Sequence, residues 1–124
     1  MANSGKDLSQ TDVLVVEDEA MISFLVEDML RELGVREVWL APAVTAALDL
    51  LTTKRPHVAI LDINLNGESA YAVAERLQES GIPFMFASGY GRSGVSEEWA
   101  GRPVVQKPFD LQGLSAALEQ CLKV

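Results

Sequence analysis

The stretch Val13-Leu14-Val15-Val16-Glu17-Asp18-Glu19 joins a run of four apolar residues to three consecutive carboxylates. A continuous apolar run rich in valine is typical of a strand that is buried on both faces of a parallel sheet. The carboxylates that follow it lie where the strand ends, and ligands of open parallel sheets bind at that edge. The stretch therefore predicts a parallel sheet with an acidic site at one edge.

Short apolar runs and segments of helical periodicity alternate along the rest of the chain. Further strands are predicted over 37–40, 58–61, 84–87 and 103–106, and helices over 20–33, 43–54, 68–79 and 111–122 after a capping Asp110. Residues 90–102 predict only a weak or short fourth helix, because Gly91, Gly94 and Gly101 each disfavour it. Five strand–helix units predict a flavodoxin-like (βα)5 doubly wound parallel sheet with strand order 2-1-3-4-5.

The 124 residues are enough for one domain with a single core, which we assign to residues 12–124, after a flexible N-terminal arm over 1–11. The formal net charge of −8 argues against a nucleic-acid partner, because an acidic surface repels phosphate backbones. Cys121 is the single cysteine, and we expect it to be a packing residue. The sequence contains neither a signal peptide nor a membrane-spanning run, so we expect a cytoplasmic protein without membrane contact.

Polar side chains follow four of the five predicted strands. They are Glu17 and Asp18 after the first strand, Asp62 after the third, Ser88 after the fourth and Lys107 after the fifth. Each alone has an ordinary explanation as a helix-start acid, a turn, a cap or a loop lysine. In the order 2-1-3-4-5, however, these four strands are neighbours. Their joint occurrence predicts one site.

Converging carboxylates raise one another's pKa unless a cation compensates their charge. A ligand set of oxygens, without histidine or cysteine, favours Mg²⁺ over zinc. A carboxylate beside Mg²⁺ can attack phosphorus, while Lys107 neutralises the phosphoryl oxygens and Ser88 donates a hydrogen bond to one of them. The residues therefore predict phosphoryl chemistry at a magnesium site.

These residues lie in four motifs that resemble the signature of response-regulator receiver domains of two-component systems. The motifs are Val15-Val16-Glu17-Asp18-Glu19, Leu61-Asp62-Ile63-Asn64, Ala87-Ser88-Gly89 and Lys107-Pro108-Phe109, within a resemblance that covers residues 12–123. The stretch from Pro83 to Gly91 also resembles the Pro-Phe-x-Phe-Ala-Thr-Gly-Tyr motif of alphaproteobacterial receivers tied to the general stress response, with Ser88 in place of threonine.

The resemblance implies a role for each residue of the site. Asp62 is the phosphoacceptor, and Ser88 and Lys107 contact the phosphoryl group. The implied metal ligands are Glu17, Asp18, Asp62 and the backbone carbonyl of Asn64, with Glu17 acting directly or through water.

The resemblance further implies a stand-alone response regulator that takes its phosphoryl group from a sensor histidine kinase or a histidine phosphotransferase. It would switch the binding of a downstream regulatory protein, or act as a phosphate sink or relay. It would phosphorylate and dephosphorylate itself without being a turnover enzyme. The alternatives are an aspartyl-phosphate phosphatase-like enzyme, which Asn64 disfavours because such enzymes have an aspartate there, and a phosphorylation-independent interaction domain.

The sequence departs from the receiver pattern at Val104, where an aromatic switch residue usually stands. We therefore expect the mobile element to be the segment from Tyr90 to Arg102, with Tyr90 as its lever. His57 and the two tryptophans, Trp39 and Trp99, are expected to be boundary or packing residues.

Overall fold

The computed structural model describes residues 8–65, 68–89, 95–99 and 101–122. Its parallel sheet is built from β1 (Asp12–Val16), β2 (Glu37–Ala41), β3 (Val58–Asp62), β4 (Phe84–Ser88) and β5 (Val104–Gln106). The strands lie in the order β2-β1-β3-β4-β5, which confirms the predicted flavodoxin-like topology. The helices are α1 (Ala20–Glu32), α2 (Val44–Leu50), α3 (Tyr71–Glu79) and α4 (Leu111–Leu122).

The sheet separates two hydrophobic cores. Side chains from one face of β1, β3 and β4 pack with α2 and α3 to form the first core, which includes Leu14, Leu61 and Phe86. Those from the other face pack with α1 and α4 in the second core, which includes Val15 and Ile60. Burial on both faces is why these central strands are continuous apolar runs and not alternating ones.

The helix boundaries follow local signals at several ends. Gly34 and Gly81 follow α1 and α3 with φ values of 94° and 73°, which glycine adopts without a steric penalty. At the start of α4, Asp110 Oδ1 accepts a hydrogen bond of 2.7 Å from the Gly113 N–H, as the predicted cap requires.

Two helices are shorter than their sequence patterns predict. The helix predicted over 68–79 begins only at Tyr71, because Asn64–Leu65 and Glu68–Ser69 pair as a short antiparallel ladder. We call this pairing the loop ladder. The helix predicted over 43–54 ends at Leu50 and continues as turns. There the Thr52 hydroxyl donates to the Asp49 carbonyl, an alternative partner that disfavours a longer helix.

The segment predicted as a weak fourth helix contains one short 3-10 turn, Glu97–Trp99, in the part that the structure describes. Tyr90, Gly91 and Gly94, on which part of that prediction rests, lie outside the described residues. Between β4 and β5 the structure therefore describes only residues 89, 95–99 and 101–103.

The predicted N-terminal arm is described from residue 8 onward. Leu8 packs against the second core, and its carbonyl accepts a 2.9 Å hydrogen bond from the Thr11 N–H. The Thr11 carbonyl in turn accepts from the Arg36 N–H at 2.8 Å. Residues 8–11 are therefore in contact with the domain, whereas residues 1–7 lie outside the described part. None of the helices described has the length and apolar character that crossing a membrane requires.

Candidate functional site

Three carboxylates meet at the carboxyl edge of the sheet. Glu17 and Asp18 follow β1, and Asp62 is the last residue of β3, the strand that pairs with β1. One oxygen from each of the three carboxylates lies within 4.8 Å of the others. Glu17 and Asp62 are buried and Asp18 is half-buried. The structure thus brings together the acids that the sequence predicted to converge.

Lys107 reaches this cluster from the end of β5. Its Nζ lies 2.8 Å from Glu17 Oε1 and 3.2 Å from Asp62 Oδ2. Its backbone N–H donates a 2.9 Å hydrogen bond to the Ser88 carbonyl, which ties the end of β5 to the end of β4. We call Glu17, Asp18, Asp62 and Lys107 the acidic pocket.

The acidic pocket perturbs the protonation of two of its members. Burial raises the pKa of Glu17 to about 6, and hydrogen bonds from Lys107 and the Glu19 backbone N–H offset only part of that effect. Burial alone would lower the pKa of Lys107. The hydrogen bond to Glu17 and the charges of Asp62 and Glu17 outweigh it, so the pKa of Lys107 is raised. Lys107 therefore stays protonated and supplies a single positive charge to three carboxylates. The remaining negative charge favours binding of a cation.

Ser88 and Asn64 lie at the same edge of the sheet. Ser88 is the last residue of β4 and is buried, one strand away from Asp62. The Asn64 backbone N–H donates to Asp62 Oδ1 at 3.3 Å, which helps to orient the Asp62 carboxylate. The roles of the Ser88 hydroxyl and the Asn64 carbonyl remain predictions.

Sequence reasoning missed an exposed apolar surface beside the acidic pocket. Met21, Phe24 and Leu25 of α1 are 81%, 58% and 51% exposed, and we call them the α1 patch. The helical spacing of Ile22, Leu25, Met29 and Leu33 predicts that Leu25 faces inward. The residues that α1 buries are instead Ser23, Val26 and Leu30. A groove of about 260 Å³ adjoins the patch and is lined by Ile22, Leu25, Lys107, Pro108 and Phe109. The signal in the sequence was an apolar surface on α1 too wide for one buried face.

The other residues considered in the sequence analysis lie in packed or hydrogen-bonded positions. Burial raises the pKa of the Cys121 thiol to about 12, which is unfavourable for a reactive thiolate. His57 Nδ1 accepts a 3.0 Å hydrogen bond from the Asp12 N–H. Trp99 belongs to the first core, and Trp39 packs against it. The predicted packing roles of the two tryptophans are confirmed.

Comparison with known proteins places this chain within a family. Residues 13–119 match the response regulator receiver domain. The phyllosphere-induced regulator PhyR of Methylorubrum extorquens is 30% identical over 129 residues, which cover 96% of this chain and 47% of PhyR. This chain thus spans about half the length of that relative.

Two solved structures have the same fold along almost their whole length. SdrG from Sphingomonas melonis is 39% identical with a TM-score of 0.82, over 94% of this chain and 98% of the SdrG chain. The receiver domain of Erythrobacter litoralis PhyR is 27% identical with a TM-score of 0.82, over 94% and 93% of the two chains. These similarities agree with the predicted resemblance to alphaproteobacterial receivers of the general stress response. The family match, the fold and the relatives together establish that this chain belongs to the response regulator receiver domains of two-component signalling.

Proposed function

We propose that this receiver domain accepts a phosphoryl group on Asp62 from a phosphohistidine and changes its binding partner in response. The observation that carries the proposal is the position of Lys107, whose ammonium group contacts both Asp62 and Glu17 inside a cluster of three carboxylates. A buried nucleophile, a fixed cation and spare acidic ligands are the components that phosphoryl transfer to a carboxylate requires.

The transfer itself exchanges one bond of phosphorus for another. A carboxylate oxygen of Asp62 attacks the phosphorus atom, and the bond from phosphorus to the donor imidazole nitrogen breaks. The bonding electron pair stays on that nitrogen. The second ring nitrogen of the donor carries a proton, so the histidine is released as a neutral imidazole. Lys107 Nζ neutralises charge on the phosphoryl oxygens, and the Ser88 hydroxyl donates a hydrogen bond to one of them.

The three acids of the pocket suit Mg²⁺, since each offers a carboxylate oxygen and these oxygens lie within 4.8 Å of one another. Glu17, Asp18, Asp62 and the Asn64 backbone carbonyl are the groups that would hold the ion. When bound, Mg²⁺ would supply the positive charge that allows an anionic phosphoryl group to approach a carboxylate. The raised pKa of Glu17 supports this assignment, because burial of that carboxylate is only partly compensated by the protein itself.

The proposal is tested by incubating the protein with a small acyl phosphate and Mg²⁺ and recording its intact mass. We expect the mass of one added phosphoryl group, and its removal by hydroxylamine, which cleaves acyl phosphates but not phosphate esters. Chelating the metal is expected to prevent the addition. A protein that stays unmodified, or that carries a hydroxylamine-resistant group, would contradict the proposed function.

The α1 patch supports a proposal for the surface on which the donor protein binds. A histidine that reaches Asp62 must pass the rim of the acidic pocket, so the donor protein must contact that rim. The groove there is lined by both Lys107 and Leu25, which makes the patch continuous with the pocket. Exposed apolar residues grouped beside a polar site are typical of protein-binding surfaces. We therefore propose that the phosphohistidine protein packs on Met21, Phe24 and Leu25.

Phe24→Ser is expected to slow transfer from a phosphorylated sensor histidine kinase or histidine phosphotransferase by roughly tenfold, the effect of losing one well-packed aromatic contact. Phosphorylation by a small acyl phosphate needs no protein contact and should keep its wild-type rate. The two rates are measured by following the phosphorylated protein over time. Glu32→Ser, at the far end of α1, is the control and should leave both rates unchanged. Equal slowing with both donors would contradict a docking role.

A further inference from the structure

Tyr71 links the first turn of α3 to residues 95–99. Its hydroxyl oxygen accepts a hydrogen bond of 2.9 Å from the Ser96 backbone N–H. Its ring stacks on that of Trp99, with centroids 6.1 Å apart and an interplanar angle of 23°. These two contacts hold the 3-10 turn Glu97–Trp99 against the start of α3.

The loop that follows Asp62 is hydrogen-bonded to the residues just before Tyr71. The Ile63 carbonyl accepts a 3.1 Å hydrogen bond from the Ala70 N–H, next to the loop ladder. The Ser69 hydroxyl oxygen accepts another of 3.1 Å from the Tyr71 N–H. Short hydrogen-bonded connections therefore link the backbone beside Asp62 to Tyr71.

The strand that carries Ser88 touches the same aromatic pair. Phe86 of β4 lies two residues before Ser88, edge-on to Tyr71 with ring centroids 5.8 Å apart. It also contacts Trp99, at 6.3 Å between centroids. Tyr71 and Trp99 thus contact elements from both sides of the proposed phosphorylation site, the Asp62 loop and β4.

Trp99 is a buried residue of the first core. Its side chain is 5% exposed, and its Nε1–H has no acceptor among the residues that the structure describes. Trp99 is therefore placed by ring contacts, and its indole N–H makes no hydrogen bond within the described part of the chain.

Val104 stands where receivers usually have an aromatic residue. It packs against the first core and pairs with Phe86 on the neighbouring strand. A valine has no ring or hydroxyl that could report on Ser88. The aromatic side chains that contact both sides of the proposed phosphorylation site are instead supplied by α3 and by the turn at 97–99.

We propose that Tyr71 and Trp99 together form the switch that reads the phosphorylation state of Asp62. In the resting protein, the Tyr71 hydroxyl and the ring stack hold residues 95–99 against α3. Phosphorylation shifts the Asp62 loop and the start of α3, breaks the bond from Ser96 to Tyr71, and releases Trp99 to a new position. This inference rests on the proposed phosphorylation of Asp62.

The test follows Trp99 fluorescence in a Trp39→Phe background, in which Trp99 is the sole tryptophan of the chain. Beryllium fluoride with Mg²⁺ serves as the phosphoryl mimic and is titrated into the protein. We expect the emission of Trp99 to change in a saturable way, and the change to be absent from the Asp62→Asn variant. The half-saturating concentration rises as the resting arrangement is more strongly favoured, so a variant that weakens only the resting arrangement lowers it.

Tyr71→Phe keeps the ring stack and removes the hydroxyl that accepts from Ser96. Because that bond stabilises only the resting arrangement, its loss should lower the half-saturating concentration by roughly two- to tenfold, the factor that one net hydrogen bond provides. Thr52→Val is the matched control, since it removes a hydroxyl hydrogen bond to the Asp49 carbonyl at the end of α2, and it should not shift the titration.

The outcomes separate the switch from the proposed function. Fluorine NMR and intact mass report binding of the mimic and phosphorylation independently of Trp99. If both are normal, but Trp99 emission stays constant or Tyr71→Phe titrates like wild type, the switch is overturned and the proposed function stands. If neither the mimic nor a phosphoryl group binds, both are overturned.

Discussion

Asp62→Asn is expected to abolish phosphorylation completely, even at high concentrations of acyl phosphate and Mg²⁺. An amide oxygen carries no full negative charge, so the residue loses its capacity to attack phosphorus while keeping its size and its place at the end of β3. The contact between Lys107 and Glu17, at 2.8 Å, does not involve Asp62 and should persist in the variant. The pocket is therefore expected to remain folded without its nucleophile, and intact mass under the conditions used for wild type measures the loss.

Asp49→Asn is the matched control for this experiment. Asp49 is an exposed aspartate of α2, so the same substitution there changes the net charge equally and should leave phosphorylation intact. Asp18→Asn gives an intermediate case, because it keeps the nucleophile and removes one proposed metal ligand. Undiminished modification of the Asp62→Asn protein would refute the assignment of the phosphoacceptor.

Mg²⁺ is expected to raise the melting temperature of the protein by roughly 10 °C at about one hundred times its dissociation constant. Binding to the folded state alone adds about 2.7 kcal/mol at that concentration, and a domain of this size gains a few degrees per kcal/mol. Part of the gain reflects relief of repulsion among three carboxylates whose oxygens lie within 4.8 Å. Thermal unfolding followed by circular dichroism, with and without Mg²⁺, measures the shift.

Asp18→Asn should remove much of this metal-dependent gain, whereas Asp28→Asn, an exposed site on α1, should retain it. Both substitutions change the net charge by the same amount, so the comparison isolates the pocket from the general electrostatics of an acidic protein. A melting curve that Mg²⁺ leaves unmoved would show that the pocket does not hold the ion.

The melting temperature of the metal-free protein is expected to depend on pH through Glu17. Burial raises the pKa of this carboxyl from its ordinary value of 4.5 to about 6 in the metal-free fold. The folded state then binds a proton more tightly than the unfolded state does. The stability that the protonated Glu17 contributes to the fold is fully present below pH 4.5 and is lost as the pH rises through about 6.

Mg²⁺ requires the carboxylate form, so its stabilising effect should follow the opposite trend and shrink as the pH falls through about 6. Glu17→Gln has no titrating group at this position and should flatten the pH dependence of the metal-free melting temperature between about 4.5 and 6. A Mg²⁺ effect that grows toward acidic pH, or a Glu17→Gln variant with the wild-type profile, would show that Glu17 does not control this behaviour.

The sequence by itself predicted the sheet, its strand order and the residues of the acidic pocket. Strands such as Val58–Asp62 are buried on both faces, so their apolar runs are visible without any structure. The pocket residues follow the strand ends, and parallel strands bring those ends to one edge. Short-range pattern and general topology were therefore sufficient to group Asp18, Asp62 and Lys107, although their roles in phosphoryl transfer remain predictions.

The tertiary structure decided the features that depend on contacts between distant parts of the chain. Periodicity could not show that the loop ladder delays α3 to Tyr71, because strand pairing competes there with helix formation. Nor could it show that Leu25 faces outward, since which side of α1 is buried depends on its packing against the sheet. The contact of Lys107 with both Glu17 and Asp62, and that of Tyr71 with Ser96, join residues far apart in sequence. Only the folded chain brings such groups within hydrogen-bonding distance, because the periodicity of a short segment carries no information about contacts with distant segments.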